Sequence, residues 1–228
     1  MLKNLSSLFF GGSCFVCRGA AREILCEECD ADLPRLGSQL CPRCALAAPG
    51  GSLCGRCLAH SPHYDATVAA LAYAFPADIL VHALKFRGEL ALAPLLGRLL
   101  ALRIPALEAV DLVVPVPLSA RRLRERGYNQ AMEIARHAAP AGARLDAHLC
   151  TRSRDTPAQV GLPLAERARN VRGAFRCERD LAGASVAIVD DVMTTGATLE
   201  EIAATLKRAG AARVVNWVVA RTPPPADV

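Results

Sequence analysis

Aromatic residues and long apolar runs are scarce in this chain, and their scarcity excludes several kinds of protein. Only 4% of the 228 residues are Phe, Trp or Tyr, so Ala, Leu and Val have to fill the core. No run of about 18 uninterrupted apolar residues is available to span a bilayer. The segment Met1 to Phe10 also lacks the charged, apolar and cleavage regions of a secretory signal. We therefore expect a globular, cytoplasmic protein that does not insert into a membrane.

Lysine is equally scarce, and the basic charge is almost entirely arginine. The chain has 24 Arg and 3 Lys, with a net charge of +5. From Asp111 to Arg176 there are 12 Arg against 6 acidic residues, so the local excess is larger than that of the whole chain. Because the planar guanidinium group matches phosphate oxygens, this segment is expected to contact anions. For any single arginine, a solvated basic surface is the alternative.

Cysteine, in contrast, is abundant and regularly spaced. Eight of the ten cysteines form four C-x-x-C pairs: Cys14 with Cys17, Cys26 with Cys29, Cys41 with Cys44, and Cys54 with Cys57. Two such turns supply the four thiolates of a tetrahedral site, so the pattern predicts two structural zinc ions without an open position. Disulfides are the poorer explanation in a cytoplasmic chain. Sequential pairing of the turns is favoured, and crossed pairing is the alternative. His60 and His63 lie close enough to substitute, but eight thiols already complete two sites.

The cysteine pattern also divides the chain into two predicted domains. We expect a double zinc ribbon over residues 1–62 and a second domain over residues 63–228, in which strand and helix patterns alternate. Such alternation predicts an α/β fold with a doubly wound, mostly parallel sheet. The predicted strands are Ala66–Phe75, Asp111–Val116, Ala143–Cys150, the strand before Asp190, and Arg213–Ala220. The predicted helices are Pro76–Phe86, Glu89–Leu102, Asn129–Ala139 and one that ends at Ala209.

The stretch from Val186 to Leu199 carries the most specific signal. Its leading apolar residues can be buried in a parallel sheet, which leaves Asp190 and Asp191 at the carboxyl end, where open α/β sheets bind ligands. The next turn offers N–H groups and hydroxyls at a helix N-terminus, which favours a phosphate. The residues of this turn are Thr194, Thr195, Gly196, Ala197 and Thr198. A ribose 5-phosphate would engage both parts. The alternative is a T-x-x-E capping box of Thr198 with Glu201.

This stretch resembles the 5-phosphoribosyl-1-diphosphate (PRPP) binding motif of type I phosphoribosyltransferases. In that family two adjacent acids face the ribose hydroxyls and the next loop holds the 5-phosphate, which gives Asp190 and Asp191 the catalytic role. A proline-bearing segment resembles the family's diphosphate loop, and its residues are Pro115, Val116, Pro117, Leu118 and Ser119. The polar stretch from Thr151 to Gly173 resembles the mobile lid. The arginines expected to contact anions are Arg121, Arg126, Arg152, Arg167 and Arg172.

The combination of motifs is similar to the ComF family of double-zinc-ribbon, phosphoribosyltransferase-like proteins. Besides the cysteine pairs, it includes Leu84–Gly88 (LKFRG), Arg126–Gln130 (RGYNQ), Gln159–Leu162 (QVGL) and Arg169–Phe175 (RNVRGAF). The resemblance implies that PRPP or a similar sugar phosphate binds with Mg²⁺. It also implies that a phosphoribosyl group passes to an acceptor, with release of diphosphate. Lys85 and Arg87 are expected near the acceptor, and the alternative for both is a surface position bordering the first helix. Members of the family are associated with natural competence.

The alternative function is a non-catalytic accessory protein that binds single-stranded DNA during transformation and works with DNA-uptake proteins. The local excess of arginine motivates this hypothesis, since phosphate contacts dominate non-specific binding of nucleic acids. Base stacking would need exposed aromatic rings, and the sequence offers few. The candidates are Phe15, Tyr64, Tyr128 and Phe86.

Overall fold

The protein consists of a small cysteine-rich N-terminal part and a larger α/β part. The structure is a computed structural model, and it describes residues 12–105, 109–154 and 169–224. The strands are β1 (Gly12–Ser13), β2 (Ala20–Ala21), β3 (Ala66–Ala72), β4 (Leu112–Pro115), β5 (Arg144–Leu145), β6 (Thr151–Arg152), β7 (Phe175–Arg176), β8 (Ser185–Met193) and β9 (Arg213–Arg221). The named α-helices are α1 (Glu27–Ala31), α2 (Gly55–Ala59), α3 (Ala77–Phe86), α4 (Leu92–Ala101), α5 (Ala120–Arg126), α6 (Gln130–Ala138) and α7 (Ala197–Arg208). None of the helices within these ranges has the length and hydropathy that a bilayer span requires.

A five-stranded sheet forms the centre of the α/β part. Its strand order is β3-β9-β8-β4-β5, and each strand pairing in it is parallel. Strands β8 and β9 are nearly continuous apolar runs that are buried along most of their length. Such runs are typical of parallel strands that are covered on both faces. Because β4 and β8 are parallel neighbours, their carboxyl ends lie side by side at the same end of the sheet.

Helices cover both faces of this sheet. Helices α3, α4 and α6 pack on one face, where Ala187 and Val189 of β8 and Trp217 of β9 are buried. Helix α7 packs on the opposite face, against Ile188 and Val218. Because successive side chains of a strand point to opposite faces, β8 contributes alternate residues to two separate cores. The prediction of an α/β fold with a doubly wound parallel sheet is confirmed.

The cysteine-rich part covers the outer edge of the sheet at β3. The backbone N–H of Leu36 donates to the carbonyl oxygen of Ala70 (3.2 Å), and the N–H of Ala72 donates to that of Pro34 (2.7 Å). Covering an edge strand in this way prevents its unpaired backbone groups from pairing with another chain. The expected domain boundary between residues 62 and 63 stays a prediction.

Four predicted elements differ from the observed ones by more than one residue at an end. Helix α4 begins at Leu92 instead of Glu89. Strand β3 ends at Ala72 instead of Phe75. Strand β5 contains only two residues of the predicted strand Ala143–Cys150, because the side chain of Asp146 accepts a hydrogen bond from the N–H of His148 (3.0 Å) and turns the chain. Strand β8 continues past both acids, since its pairing with β9 extends to Met193.

The close approach of α4 and α6 leads to a prediction on stability. A Cβ atom added at Gly97 of α4 would lie 2.5 Å from Cβ of His137 and 2.8 Å from the carbonyl oxygen of Ile134, both in α6. Because the helices would have to separate, we expect Gly97→Ala to lower the free energy of unfolding by about 1–3 kcal/mol. Denaturant titration of the zinc-loaded protein measures this change. Gly37→Ala is the control, since an added Cβ there has no neighbour within 4 Å; equal stability of the two variants would contradict the prediction.

Candidate functional site

The eight paired cysteines form two clusters, each made by two consecutive C-x-x-C turns. In each cluster the four sulfur atoms lie within 4.8 Å of one another. The first ribbon contains Cys14, Cys17, Cys26 and Cys29, and the second ribbon contains Cys41, Cys44, Cys54 and Cys57. The predicted sequential pairing is confirmed, and crossed pairing is excluded. Among the described residues, neither His60 nor His63 belongs to a cluster.

The geometry of both clusters fits a structural zinc ion. The Sγ atoms of Cys17 and Cys26 are 3.7 Å apart, and those of Cys44 and Cys54 are 3.6 Å apart. A tetrahedron with Zn–S bonds of about 2.3 Å has edges of about 3.8 Å, so these separations match. Four thiolates complete the coordination of zinc, and the ion would therefore stabilise each ribbon without taking part in chemistry.

A cavity of about 400 Å³ opens at the carboxyl ends of β4 and β8. Open α/β sheets bind their ligands at this edge. The cavity is lined by both parts of the predicted acid–phosphate motif, namely Asp190, Asp191, Thr194, Thr195, Gly196, Ala197 and Thr198. Val116, Pro117 and Leu118 line it from the end of β4. The fold therefore brings the two loops that were predicted separately into one site.

The two carboxylates are almost fully buried and have different partners. Asp190 is 9% exposed and Asp191 2% exposed. Oδ2 of Asp191 lies 2.8 Å from Nζ of Lys85 in α3, and the contact is an ion pair without the direction of a hydrogen bond. Oδ1 of Asp190 accepts a hydrogen bond from the N–H of Asp191 (2.9 Å), and Oδ1 of Asp191 accepts one from the N–H of Val192 (2.9 Å). The ammonium group of Lys85 is thus paired with Asp191, while Asp190 has no ion pair among the described residues.

This arrangement separates the pKa values of the two acids. Burial and the charge of Asp191 raise the pKa of Asp190 well above its ordinary value. Burial also opposes the ionisation of Asp191, but the Lys85 ammonium group outweighs it and lowers the pKa of Asp191. Burial lowers the pKa of Lys85, and the two carboxylates outweigh that effect and raise it. As the pH rises, Asp190 therefore keeps its proton longer, and the pair can offer a donor beside an acceptor to hydroxyl groups of a ligand.

The loop after β8 leads directly into the N-terminus of α7. Gly196 caps this helix with a φ of 86°, in the left-handed region that favours glycine. A Cβ atom at Gly196 would also lie 2.7 Å from Cε of Met193. Oγ1 of Thr195 accepts a hydrogen bond from the N–H of Ala197 (3.2 Å). The start of the helix borders the cavity, so its dipole and its N–H groups favour an anion there. We call residues Thr194 to Thr198 the phosphate loop.

The capping-box alternative for this loop is wrong. Thr198 lies inside the first turn of α7, because the N-cap residue is Gly196. Oε1 of Glu201 accepts a hydrogen bond from the N–H of Gly173 (2.8 Å) instead of capping the helix. Glu201 therefore connects α7 to the end of the polar stretch that was predicted to form a lid. Most of that stretch, residues 155–168, lies outside the described residues.

The proline loop is shorter than predicted. Pro115 is the last residue of β4, where it pairs with Val189 of β8. Ser119 is the buried N-cap of α5, and its Oγ accepts a hydrogen bond from the N–H of Arg122 (3.3 Å). Proline can end a strand because the missing N–H is not needed there. The three residues between Pro115 and Ser119 are the ones that line the cavity.

The RGYNQ segment holds the proline loop and α3 together. Asn129 caps α6 with its Oδ1, and its Nδ2 donates a hydrogen bond to the carbonyl oxygen of Val116 (3.0 Å). The hydroxyl of Tyr128 donates to the carbonyl oxygen of Leu84 in α3. Leu84 directly precedes the lysine that pairs with Asp191. This segment therefore fixes both sides of the cavity entrance through backbone carbonyl groups.

The five arginines predicted to contact anions take different positions. Arg126 and Arg152 line the cavity. Arg121 does not line it and pairs with an acid one turn later in α5 (3.3 Å). Arg172 is also absent from the cavity lining, and Arg167 lies outside the described residues.

Other residues line the cavity that were not predicted to contact PRPP. They are Tyr73, Lys85, Phe86, Arg122, Gln130, Val192, Met193 and Leu199. Of the two cations expected near an acceptor, Lys85 lines the cavity and Arg87 does not. Arg122 lines the cavity in place of its neighbour Arg121 because adjacent residues of a helix point about 100° apart. No helix was predicted over α5, so the orientation of its side chains could not be inferred from the sequence.

The separated pKa values lead to a prediction on stability and pH. The raised pKa of Asp190 means that its protonated form contributes stability at low pH, and this contribution is lost as the pH rises through the folded-state pKa. Asparagine stays neutral, so we expect Asp190→Asn to raise the melting temperature by roughly 2–4 °C, with a gain that grows as the pH rises above about 4, the ordinary pKa of an aspartate, and levels off above the raised pKa. Asp191→Asn should lower it, because Lys85 loses its counter-charge. Calorimetry in zinc-containing buffer tests this, and a gain that shrinks with rising pH would contradict it.

Comparisons with known proteins agree with this architecture. The double zinc ribbon domain matches residues 5–58, and the phosphoribosyl transferase domain matches residues 124–225. DNA utilization protein YhgH of Salmonella typhimurium is 40% identical over 222 residues, which cover 92% of this chain and 97% of that protein. The protein of the same name from Escherichia coli K12 is 38% identical over 221 residues, which cover 92% of this chain and 91% of that protein.

A relative with a different name is similar over the same extent. Competence protein F of Haemophilus influenzae is 32% identical over 241 residues, which cover 93% of this chain and 98% of that protein. The likeness therefore spans both the cysteine-rich part and the α/β part. The chain belongs to the ComF family of double-zinc-ribbon, phosphoribosyltransferase-domain proteins.

Proposed function

We propose that this protein binds PRPP together with Mg²⁺ and transfers its phosphoribosyl group to an acceptor, with release of diphosphate. The observation that carries the proposal is a single cavity in which Asp190 and Asp191 lie beside the N-terminus of α7. A ribose 5-phosphate has vicinal hydroxyls on the ring and a phosphate on a neighbouring carbon. It therefore matches a pair of acids next to an anion site. The cavity volume of about 400 Å³ suits a small-molecule ligand.

The residues of the cavity suit the charges that such a transfer develops. C1 of the ribose loses its bond to the diphosphate oxygen, which keeps the bonding electrons, and gains a bond to a nucleophilic atom of the acceptor. Positive charge grows on the ring while negative charge grows on the diphosphate, so opposite charges are needed at the two places. Asp190 and Asp191 would support the sugar, and Arg122, Arg126 and Arg152 would support the leaving group.

Mg²⁺ would neutralise the diphosphate and help to orient its oxygens. The ion prefers oxygen ligands and keeps several water molecules, and the acidic pair offers suitable carboxylate oxygens. Lys85 already contacts one of these oxygens, so the chain supplies part of the positive charge itself. In the absence of ligand, the ion pair would hold Asp191 in position. Once the ligand and its cation bind, the ammonium group of Lys85 could turn towards the ligand.

The cellular role belongs to the handling of incoming DNA in the cytoplasm during natural competence. Two relatives support this role by their names, competence protein F and DNA utilization protein YhgH. DNA-uptake proteins would then be its partners. The acceptor of the phosphoribosyl group would be a molecule that becomes available during this process.

The double variant Asp190→Asn with Asp191→Asn tests the sugar-phosphate site. Hydrogen bonds to charged groups contribute about 1.5–3 kcal/mol each, so loss of the charge of Asp191 together with the carboxyl group of Asp190 should weaken binding of PRPP with Mg²⁺ by at least about tenfold. Isothermal titration measures the affinity, and release of diphosphate with candidate acceptors measures turnover. Asp146→Asn is a matched control, because Asp146 pairs with Arg179 (2.8 Å) and does not line the cavity. Unchanged binding in a folded double variant would refute the assignment.

The rim of the cavity supports a second candidate function, the binding of single-stranded DNA. Phe86 lines the cavity and is 56% exposed, and the guanidinium group of Arg126 lies 5.5 Å from the centre of its ring. A base can stack on such a ring while nearby arginines contact the phosphate backbone. Tyr64, another aromatic residue considered for stacking, is buried and is excluded from this role.

Replacement of Phe86 tests this second function. Stacking on an aromatic ring is worth about 1–3 kcal/mol per base, so Phe86→Ala should weaken binding of a labelled oligothymidine about tenfold at low salt. Fluorescence anisotropy measures the affinity. Phe75→Ala is a matched control, because Phe75 is 65% exposed but does not line the cavity. Negligible affinity of the unchanged protein at low salt, or equal effects of the two variants, would exclude this function.

A further inference from the structure

One buried arginine connects the second ribbon to the phosphate loop. Arg221, the last residue of β9, is only 2% exposed. Its Nε donates a hydrogen bond to the carbonyl oxygen of Cys44 (2.8 Å), a ligand of the second ribbon. Its Nη1 donates to the carbonyl oxygens of Met193 (2.8 Å) and Thr194, which lead into the phosphate loop. The same nitrogen also donates to the carbonyl oxygen of Thr222 (3.0 Å).

The hydrogen bonds of Arg221 fix the orientation of the phosphate loop. In a trans peptide the C=O and the following N–H point in opposite directions. Because the carbonyls of Met193 and Thr194 point at Arg221, the N–H groups of Thr194 and Thr195 point away from it. Both residues line the cavity. A guanidinium group suits this task, since its planar fork serves several acceptors at once and a lysine would offer a single nitrogen.

A buried guanidinium group also requires negative charge nearby. The hydrogen-bond partners of Arg221 are main-chain carbonyls, which offer only partial charges. The second ribbon lies directly beside it, and four thiolates around one Zn²⁺ carry a net charge of about −2. The loaded ribbon therefore supplies the charge that makes burial of Arg221 favourable.

Further contacts join the second ribbon to the same loop. Arg43, which lies between two of the ligands, donates to the carbonyl oxygen of Tyr64 (2.8 Å). The hydroxyl of Tyr64 lies 3.3 Å from the position of a Cβ atom at Gly196. His63, the residue before Tyr64, donates its backbone N–H to Oε2 of Glu200 in the first turn of α7 (2.9 Å). The second ribbon therefore supports the loop at more than one point.

The first ribbon is placed differently. Its Cys14 and Cys29 are buried in the core that contains α3. Arg35, which follows the first ribbon in the chain, forms an antiparallel β-bridge with Leu71 of the edge strand β3. Cys41, Cys44 and Cys57 of the second ribbon are buried instead in the core that contains Met193, which leads into the phosphate loop. The two clusters share one ligand chemistry, but only the second has a described contact with the phosphate loop.

We propose that Arg221 is a positioning residue through which the second ribbon holds the phosphate loop in its anion-binding shape. Zinc in the second ribbon then controls the binding of the sugar phosphate, and zinc in the first ribbon does not. The ligand in this inference rests on the function proposed above, while the ordering of the loop can be measured without any ligand.

Two arginine variants test the inference at the loop itself. Arg221→Met removes the guanidinium group with little change in volume, and Arg213→Met is the control at the opposite end of β9. We expect amide hydrogen exchange of residues 194–198 to become at least about tenfold faster in Arg221→Met only, because the loop loses its fixed carbonyls. PRPP with Mg²⁺ should then bind at least about tenfold more weakly. Unchanged exchange in folded Arg221→Met, judged by the fluorescence of buried Trp217, would overturn the inference.

Two cysteine variants test the role of the zinc. Cys17 and Cys54 are the more accessible ligands of the first and second ribbons. Cys17→Ser and Cys54→Ser should each release one zinc ion per chain, as metal analysis can measure. Faster exchange of the phosphate loop and weaker PRPP binding are expected for Cys54→Ser alone, and equal effects of the two variants would overturn the inference.

Two further measurements keep the test decisive. Arg221→Lys retains the charge and should fold even if Arg221→Met does not, with loop exchange between that of the unchanged protein and that of a fully released loop. Exchange as slow as in the unchanged protein would overturn the need for a guanidinium group. If the unchanged protein fails to bind PRPP, the proposed function is refuted, while the exchange experiments still decide whether Arg221 and the second ribbon order the loop.

Discussion

Two adjacent carboxylates buried at the end of a central strand are the constraint around which the cavity is organised. A carboxylate removed from water needs a counter-charge, a proton or hydrogen bonds. Asp191 has the counter-charge of Lys85, and Asp190, with its raised pKa, retains a proton over a wider pH range. Helix α3 has to bring its lysine to this point, and Tyr128 holds α3 there through the carbonyl of Leu84. One wall of the cavity therefore depends on the charge at the end of β8.

Each of the two zinc clusters stabilises its own short ribbon, but the two ribbons pack into different cores of the molecule. A segment this short cannot bury enough apolar surface to fold alone, so each cluster needs both its metal and a share of a larger core. Cys14 and Cys29 belong to the core on the α3 face of the sheet. Cys41 and Cys44 belong to the core on the α7 face. This division places the first ribbon at the edge of the sheet and the second beside the ligand cavity.

The pair of Asp190 and Asp191 also distinguishes between the two ligands considered for the cavity, PRPP and single-stranded DNA. Both PRPP and single-stranded DNA carry phosphates that arginines can contact. Deoxyribose lacks the 2′-hydroxyl, so DNA offers no vicinal pair of hydroxyls to Asp190 and Asp191. DNA could use the rim at Phe86 and Arg126, whereas the floor of the cavity suits a ribose. The two ligands would thus use different parts of one opening.

Features that depend on neighbouring residues could be read from the sequence. The eight zinc ligands, the alternation of strands and helices, and the motif of Asp190, Asp191 and the phosphate loop follow from spacing and residue type, because a short segment carries the whole signal. Other features depend on contacts between distant segments and on helix orientation, which local patterns do not encode. Tertiary structure alone decided that consecutive turns share a cluster, that Lys85 neutralises Asp191, and that Arg122 lines the cavity where Arg121 was expected. It also decided that Arg221 joins the second ribbon to the phosphate loop, because three segments far apart in the chain converge on one guanidinium group only after folding.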